Sequence, residues 1–216
     1  MAGRVLVTPP ASEPVSLADA KLFARITTSA EDALVTTLIT AARQRCENWR
    51  GFSFVTQTWD FFFDRFPNRR DGWLQSENFT PSGAQFGRGY PTAYDLRERA
   101  ISLERGPCQS VTFVKYTPLN GSPVTLDPAS YIVDTSNTLA PRIMPNLDKM
   151  WPPDLLQSMN AVNVRAIMGY ATVPESINLA IKQLVSFLYY NRDAGNVLPE
   201  SVTELLAEET GGFTYA

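Results

Sequence analysis

Asp60 and Asp64 stand four residues apart in "TQTWDFFFDRFP", on one face of a predicted strand. Two carboxylates on one face begin an oxygen-ligand metal site, and a metal-activated water there would make a small hydrolase. Two ligands do not complete such a site, and a solvated strand face is the plainer reading. Glu31 and Asp32 form a second carboxylate pair. They fall at a predicted helix start, where acidic side chains meet the positive end of the helix dipole. "GRGYP" and "TGGFT" lack the lysine of a phosphate loop, and neither sits between a strand and a helix. The chain has no histidine. That removes the commonest general base, the commonest metal ligand and the usual partner of a Ser or Cys nucleophile. Cys46 and Cys108 make neither a CxxC pair nor a zinc spacing, and read as small buried apolar residues. No catalytic, metal-binding or cofactor-binding residue is assigned, and the expectation is a protein that is not an enzyme.

The elements that would hold any site are clearer. The 216 residues are 44% hydrophobic and 19% charged, enough for one sizeable core or a core with a smaller subdomain. A net charge of −3 disfavours gripping a phosphate backbone, so a DNA-binding module is a weak alternative. The apolar run in "MAGRVLVTPPASEP" is cut short by prolines and suits neither a signal peptide nor a membrane span, so the expectation is a soluble protein of intracellular origin. Ser16 caps a short helix running to about Arg25, with Asp19 placed for a capping box. Thr28 or Ser29 caps a second helix whose stripe is Leu34, Leu38, Ala41, Ala42, Arg45 or Cys46, and Trp49, closed by Gly51. In the next strand Trp59, Phe61 and Phe63 share the buried face, and Phe62 faces a second layer or a neighbour.

Further strands are predicted at 100–103, 111–117, 124–126, 131–134, 142–144 and 161–168, with a tight turn at Asn120-Gly121. Val162, Val164, Ala166 and Met168 alternate on one face of the last. Pro174 starts a helix with the stripe Ile177, Ala180, Ile181, Leu184 and Leu188, and a short amphipathic piece spans 202–207. The fold class is therefore α+β. A helical bundle, made of the N-terminal hairpin 16–51 and a C-terminal helix 174–194, carries an inserted antiparallel β-subdomain at 54–170. Two segments stay outside this frame, and a monomer rarely exposes apolar area on that scale: the loop either folds back over its own β-subdomain or is a contact surface, and the arm reads as a contact surface. The long loop 67–99 carries Trp73, Phe79, Phe86, Tyr90 and Tyr94. The arm 195–216 carries Phe213 and Tyr215 beside the hinge Gly211-Gly212.

The order of motifs resembles the head-tail connector proteins of tailed bacteriophages, also called head-completion or adaptor proteins. The residues that carry the resemblance run from about Glu13 to Asp193, interrupted by the loop. They are "EPVSLADAKLFARI" with "EDALVTTLITAARQRCENWRG", then "TQTWDFFFDRFP", "LERGPCQSVTFVKY", "LDPASYIVD" and "VNVRAIMGYATVPESINLAIKQLVSFLYYNRD". Gly106-Pro107 with Gln109-Ser110-Val111, and Gly169-Tyr170 followed by Pro174, are the most specific pieces. Cys108 stands where the family usually has an aliphatic residue, and 67–99 looks like an insertion. The resemblance implies one adaptor domain over 1–216, in a ring, generally of twelve copies, beneath the portal of a filled capsid. Its implied partners are the portal protein, neighbouring copies of itself and the next neck or tail protein, with genomic DNA passing through the channel and no membrane. The place implied is the head-tail junction of a virion made in the bacterial host cytoplasm. It also implies that the C-terminal arm, with Phe213 and Tyr215, reaches the portal. A neck stopper or tail-terminator that binds the adaptor is the alternative reading.

Overall fold

Ser16 begins the helical part as a capping box: its Oγ accepts from the Asp19 N–H at 3.1 Å and donates to the Asp19 carboxylate at 2.7 Å. Helix α1 (Leu17–Phe23) and helix α2 (Asp32–Arg50) follow. Gly51, left-handed at φ 73°, ends α2 by donating to the Glu47 carbonyl. Helix α3 (Glu175–Tyr190) and helix α4 (Glu200–Glu208) complete the bundle. The computed structural model describes residues 3–67, 100–136, 141–147, 149–152, 155–192 and 198–208.

Val35, Ile39, Ala42 and Cys46 of α2 meet Ile177, Ala180, Ile181, Leu184 and Val185 of α3, and Val202 and Leu206 of α4 seal the other side. The α3 stripe is the predicted one except that Val185 is fully buried and Leu188 only partly. The α2 stripe is not. Leu34 and Trp49 are exposed, and the buried face is rotated onto Val35, Ile39, Arg43 and Glu47. The helix turns its largest hydrophobics outward because its inner face must present an ion pair to the β-subdomain. The expected cap at Thr28 or Ser29 also differs: Glu31 takes the cap position without a side-chain bond to the helix backbone, and Thr28 Oγ1 instead accepts from Ala30 N at 3.1 Å.

The strands are β1 (Gly3–Thr8), β2 (Gln57–Phe63), β3 (Ile101–Ser102), β4 (Cys108–Tyr116), β5 (Val124–Thr125), β6 (Tyr131–Asp134), β7 (Arg142–Pro145) and β8 (Val162–Met168). A five-stranded antiparallel sheet has the order β1-β2-β8-β4-β5, and a three-stranded sheet the order β3-β7-β6. The even positions of β8, Val162 to Met168, are all fully buried, as their alternation predicts. They join Phe61, Phe66, Val114, Leu103, Ile101, Ile143 and Tyr131 in a second core between the sheets. Phe66 stacks on Trp151 with centroids 4.8 Å apart. Sequence reading missed β1: its apolar run was judged only as a targeting signal, yet it pairs with β2 from Gly3↔Phe62 to Thr8↔Thr58.

Candidate assembly surface and the junction that positions it

Two passages between helix and sheet, α2 to β2 and β8 to α3, meet at the link from β3 to β4. Ser53 N donates to Gly106 O at 2.8 Å, Gly169 N to Pro107 O at 2.8 Å, and Tyr170 N to Phe54 O at 3.3 Å. Gln109 Nε2 spans the same point, donating to Thr56 Oγ1 and Gly169 O, each at 2.9 Å. Gly169 holds φ +115°, and a Cβ there would lie 2.3 Å from the Val55 carbonyl oxygen. Only glycine fits that backbone conformation and that approach. The most specific pieces of the sequence resemblance, Gly106-Pro107, Gln109 and Gly169-Tyr170, thus converge on one crossing.

Beneath the crossing lies a buried polar hub. Glu47, 3% exposed, accepts from Phe54 N at 2.7 Å, Gln57 Nε2 at 2.6 Å and Arg43 Nη1 at 2.8 Å, and Arg105 Nη2 stands 3.7 Å away. Arg43 also donates through Nε and Nη2 to the two Glu13 oxygens at 2.7 and 3.2 Å. Arg105 donates to Ser53 Oγ at 2.6 Å and lies 4.5 Å over the Trp59 ring. Two arginines face two glutamates, so the formal charges cancel inside the fold. Burial pulls the Arg43 guanidinium down, but the carboxylates of Glu13 and Glu47 outweigh it and its pKa rises. Burial wins at Arg105, which falls to about 10 despite Glu47. Sequence reading did not pick out these residues; the signal available was the Arg43/Glu47 spacing of one helical turn.

The residues first considered for chemistry are occupied structurally. Asp60 lies on the outer face of the sheet but is covered there instead of being left to solvent. It is 7% exposed, and its two oxygens accept from Arg165 Nε and Nη2 at 2.7 and 2.8 Å, a bidentate pair across the β2–β8 ladder. Asp64 accepts from Asn160 N at 3.0 Å. Among the described residues no group of three or more His, Cys, Asp or Glu is arranged to hold a metal ion. Glu31 accepts from the Tyr189 hydroxyl and from Arg192 Nη2, contacts that hold its carboxyl below the usual range, Tyr189 contributing most. Asp32 pairs with Lys21 Nζ at 2.5 Å. The second carboxylate pair therefore ties α1 and α3 to the start of α2. Cys46 and Cys108 are buried and unbonded to each other, with thiols pushed up by burial to about 12 and about 11. Both are poor nucleophiles at neutral pH. Among the described residues no helix is long and apolar enough to cross a membrane.

What the described surface does offer is exposed apolar area. All six residues of β1 are exposed, with Val5 at 54%, Leu6 at 41% and Val7 at 40%. Leu119, Leu147, Leu155 and Met159 also stand in solvent, the first and third joined by Leu119 N to Leu155 O at 2.7 Å. Between α3 and the start of α4, Phe23, Gln183, Phe187, Tyr190 and Val202 line a groove of about 340 Å³. The loop residues Trp73, Phe79, Phe86, Tyr90 and Tyr94, and the arm residues Gly211, Gly212, Phe213 and Tyr215, lie outside the described residues.

No protein-family model matches the chain, and no curated protein matches its sequence. Solved structures do match in fold. A chain of the virion of a native gene transfer agent particle is similar with a TM-score of 0.67 at 17% identity, over 95% of this chain and 93% of that one. A chain of the neck of the empty particle, computed with C6 symmetry, gives 0.66 at 16% identity over 95% and 94%. One from the neck of the native particle, computed with C12 symmetry, gives 0.61 at 16% over 96% and 93%. The protein has the fold of these chains over almost its whole length.

Proposed function

We propose that this chain is a structural subunit of the neck of a phage-like particle, a head-tail adaptor that packs side by side with its own copies in a ring beneath the portal. The ring extends the DNA channel and presents a platform to the next neck or tail component. The observation that carries the reading is the near full-length fold likeness to chains of gene transfer agent necks. Two physical features support it. The hub around Glu47 joins helices and sheets into a rigid body, as a collar that must keep its shape requires. The net charge of −3 leaves little to hold a phosphate backbone that must slide past. Twelve copies, and portal contact through Phe213 and Tyr215 on the arm after Gly211-Gly212, belong to the same proposal. So does contact of the 67–99 loop aromatics with a neighbouring subunit or the tail.

The test is to purify particles carrying the chain with residues 209–216 deleted. The truncated protein folds with unchanged thermal stability and is lost from the particle vertex. Normal incorporation would overturn the role given to the arm. Incorporation of the intact chain only after an adaptor is already in place would favour a stopper or tail-terminator.

A further inference from the structure

Strand β1 ends the five-stranded sheet, and among the described residues nothing pairs with its outer edge. Free edges are normally blunted by lysines, prolines or inward charges, because an open row of N–H and C=O groups templates pairing with another chain. Here Gly3-Arg4-Val5-Leu6-Val7-Thr8 has one charged side chain, and Arg4 turns it back to Glu104 O at 3.2 Å. Prolines appear only beyond the strand, at 9 and 10. Three consecutive apolar residues are exposed on both faces, a strand built to be covered.

The same sheet has a second open stretch. Strand β5 covers β4 only at Lys115 and Tyr116, and Leu126 N reaches Val114 O, so among the described residues 108–113 present a bare edge without a charged side chain. The pairings β1–β2, β2–β8 and β8–β4 are all antiparallel, so β1 and β4 run in opposite directions. In a closed ring each copy meets the next head to tail. A twelve-fold ring turns adjacent copies by only about 30°, too little to reverse the direction of a strand. Strand directions therefore survive the step from copy to copy. The β1 of one copy arrives antiparallel to the β4 of the next, the pairing the sheet already uses internally.

We infer that β1 adds as an edge strand to the 108–113 stretch of a second copy of this chain, so that the sheets of adjacent subunits join around the ring. The inference rests on the proposed ring and adds its interface. Register irregularities at 108–110 and 111–113 interrupt the β4 edge and restrict an added strand to a short stretch of it. Val5 is paired to Asp60, Asp60 to Arg165 and Ile167 to Ser110, which puts Val5 and Ser110 on the same outer face.

Val5→Cys is combined in one chain with Ser110→Cys, and separately with Thr112→Cys, all exposed positions. The native cysteines stay, being buried with raised thiol pKa values. Particles carrying each protein, and the concentrated purified protein, are oxidised mildly and run without reductant. A ladder of covalent oligomers from at least one double variant, and none from any single variant, is the expected result. A dimer from Val5→Cys alone would mean two-fold β1–β1 pairing and overturn the inference. So would a single band from both double variants in particles that contain an intact ring, which leaves the neck reading standing and puts either the interface or the cover of β1 elsewhere, the 67–99 segment included. Absence of the chain from particles, with one monomer band at every concentration, would overturn both.

Discussion

The hub around Glu47 and the strand β1 invert each other. The interior of the hub holds Arg43, Glu47, Gln57 and Arg105, all nearly inaccessible, while β1 leaves Val5, Leu6 and Val7 in solvent. An exposed leucine alone says little, but buried charge and a continuous exposed apolar strand both call for a cause. At the hub every charge has a partner inside the subunit, so the contacts act within one copy. At β1 the apolar side chains and one edge of the backbone lack partners among the described residues. One region makes a rigid body; the other is where we propose assembly.

The contrast can be broken first at the hub. Glu47→Ala leaves the buried Arg105 without its carboxylate, takes one of the two carboxylates from Arg43 and orphans Phe54 N and Gln57 Nε2, and the expected loss of stability is about 3–5 kcal/mol in denaturant titration. A loss below about 1 kcal/mol would mean that the hub does not hold the halves together. Gly169→Ala comes next. The left-handed φ alone costs about 1–3 kcal/mol, and the close Val55 carbonyl requires the backbone to move as well. Val5→Lys sharpens the comparison from the other side. The exposed substitution should change stability by less than about 0.5 kcal/mol, yet a charge on the free edge should sharply reduce incorporation into particles.

The smallest effect concerns acid. The Ser136 side chain, then Arg142 and the Ser136 backbone, hold the Asp134 carboxyl down at about 2, below the unfolded value of about 3.9. Its contribution is whole above about pH 4 and lost as pH falls towards 2. Hydrogen exchange in β6 and β7 should rise over that window before the hub opens.

The elements with a uniform chemical pattern were legible. Alternation in β8, the stripe of α3 and the Ser16 capping box describe local geometry, and local geometry is what periodicity encodes. The α2 face was misjudged because Leu34 and Trp49 look more like core residues than Arg43 and Glu47 do. Only the tertiary crossing at Ser53, Gly106 and Gly169 makes a charged face the buried one. Asp60 was misjudged for the same reason, its partner Arg165 lying on a strand distant in sequence. β1 was missed because a six-residue edge strand carries no alternation when both its faces are exposed. The candidate contacts on the 67–99 loop and the arm rest on sequence, and the edge of β1 came from the fold.

The most direct measurement is a reconstruction of the particle neck at side-chain resolution. A closed collar of this polypeptide at the portal vertex, with the Glu47 hub intact in every copy, is the predicted result. Density for another protein at that position, or this chain found only elsewhere in the particle, would contradict the account.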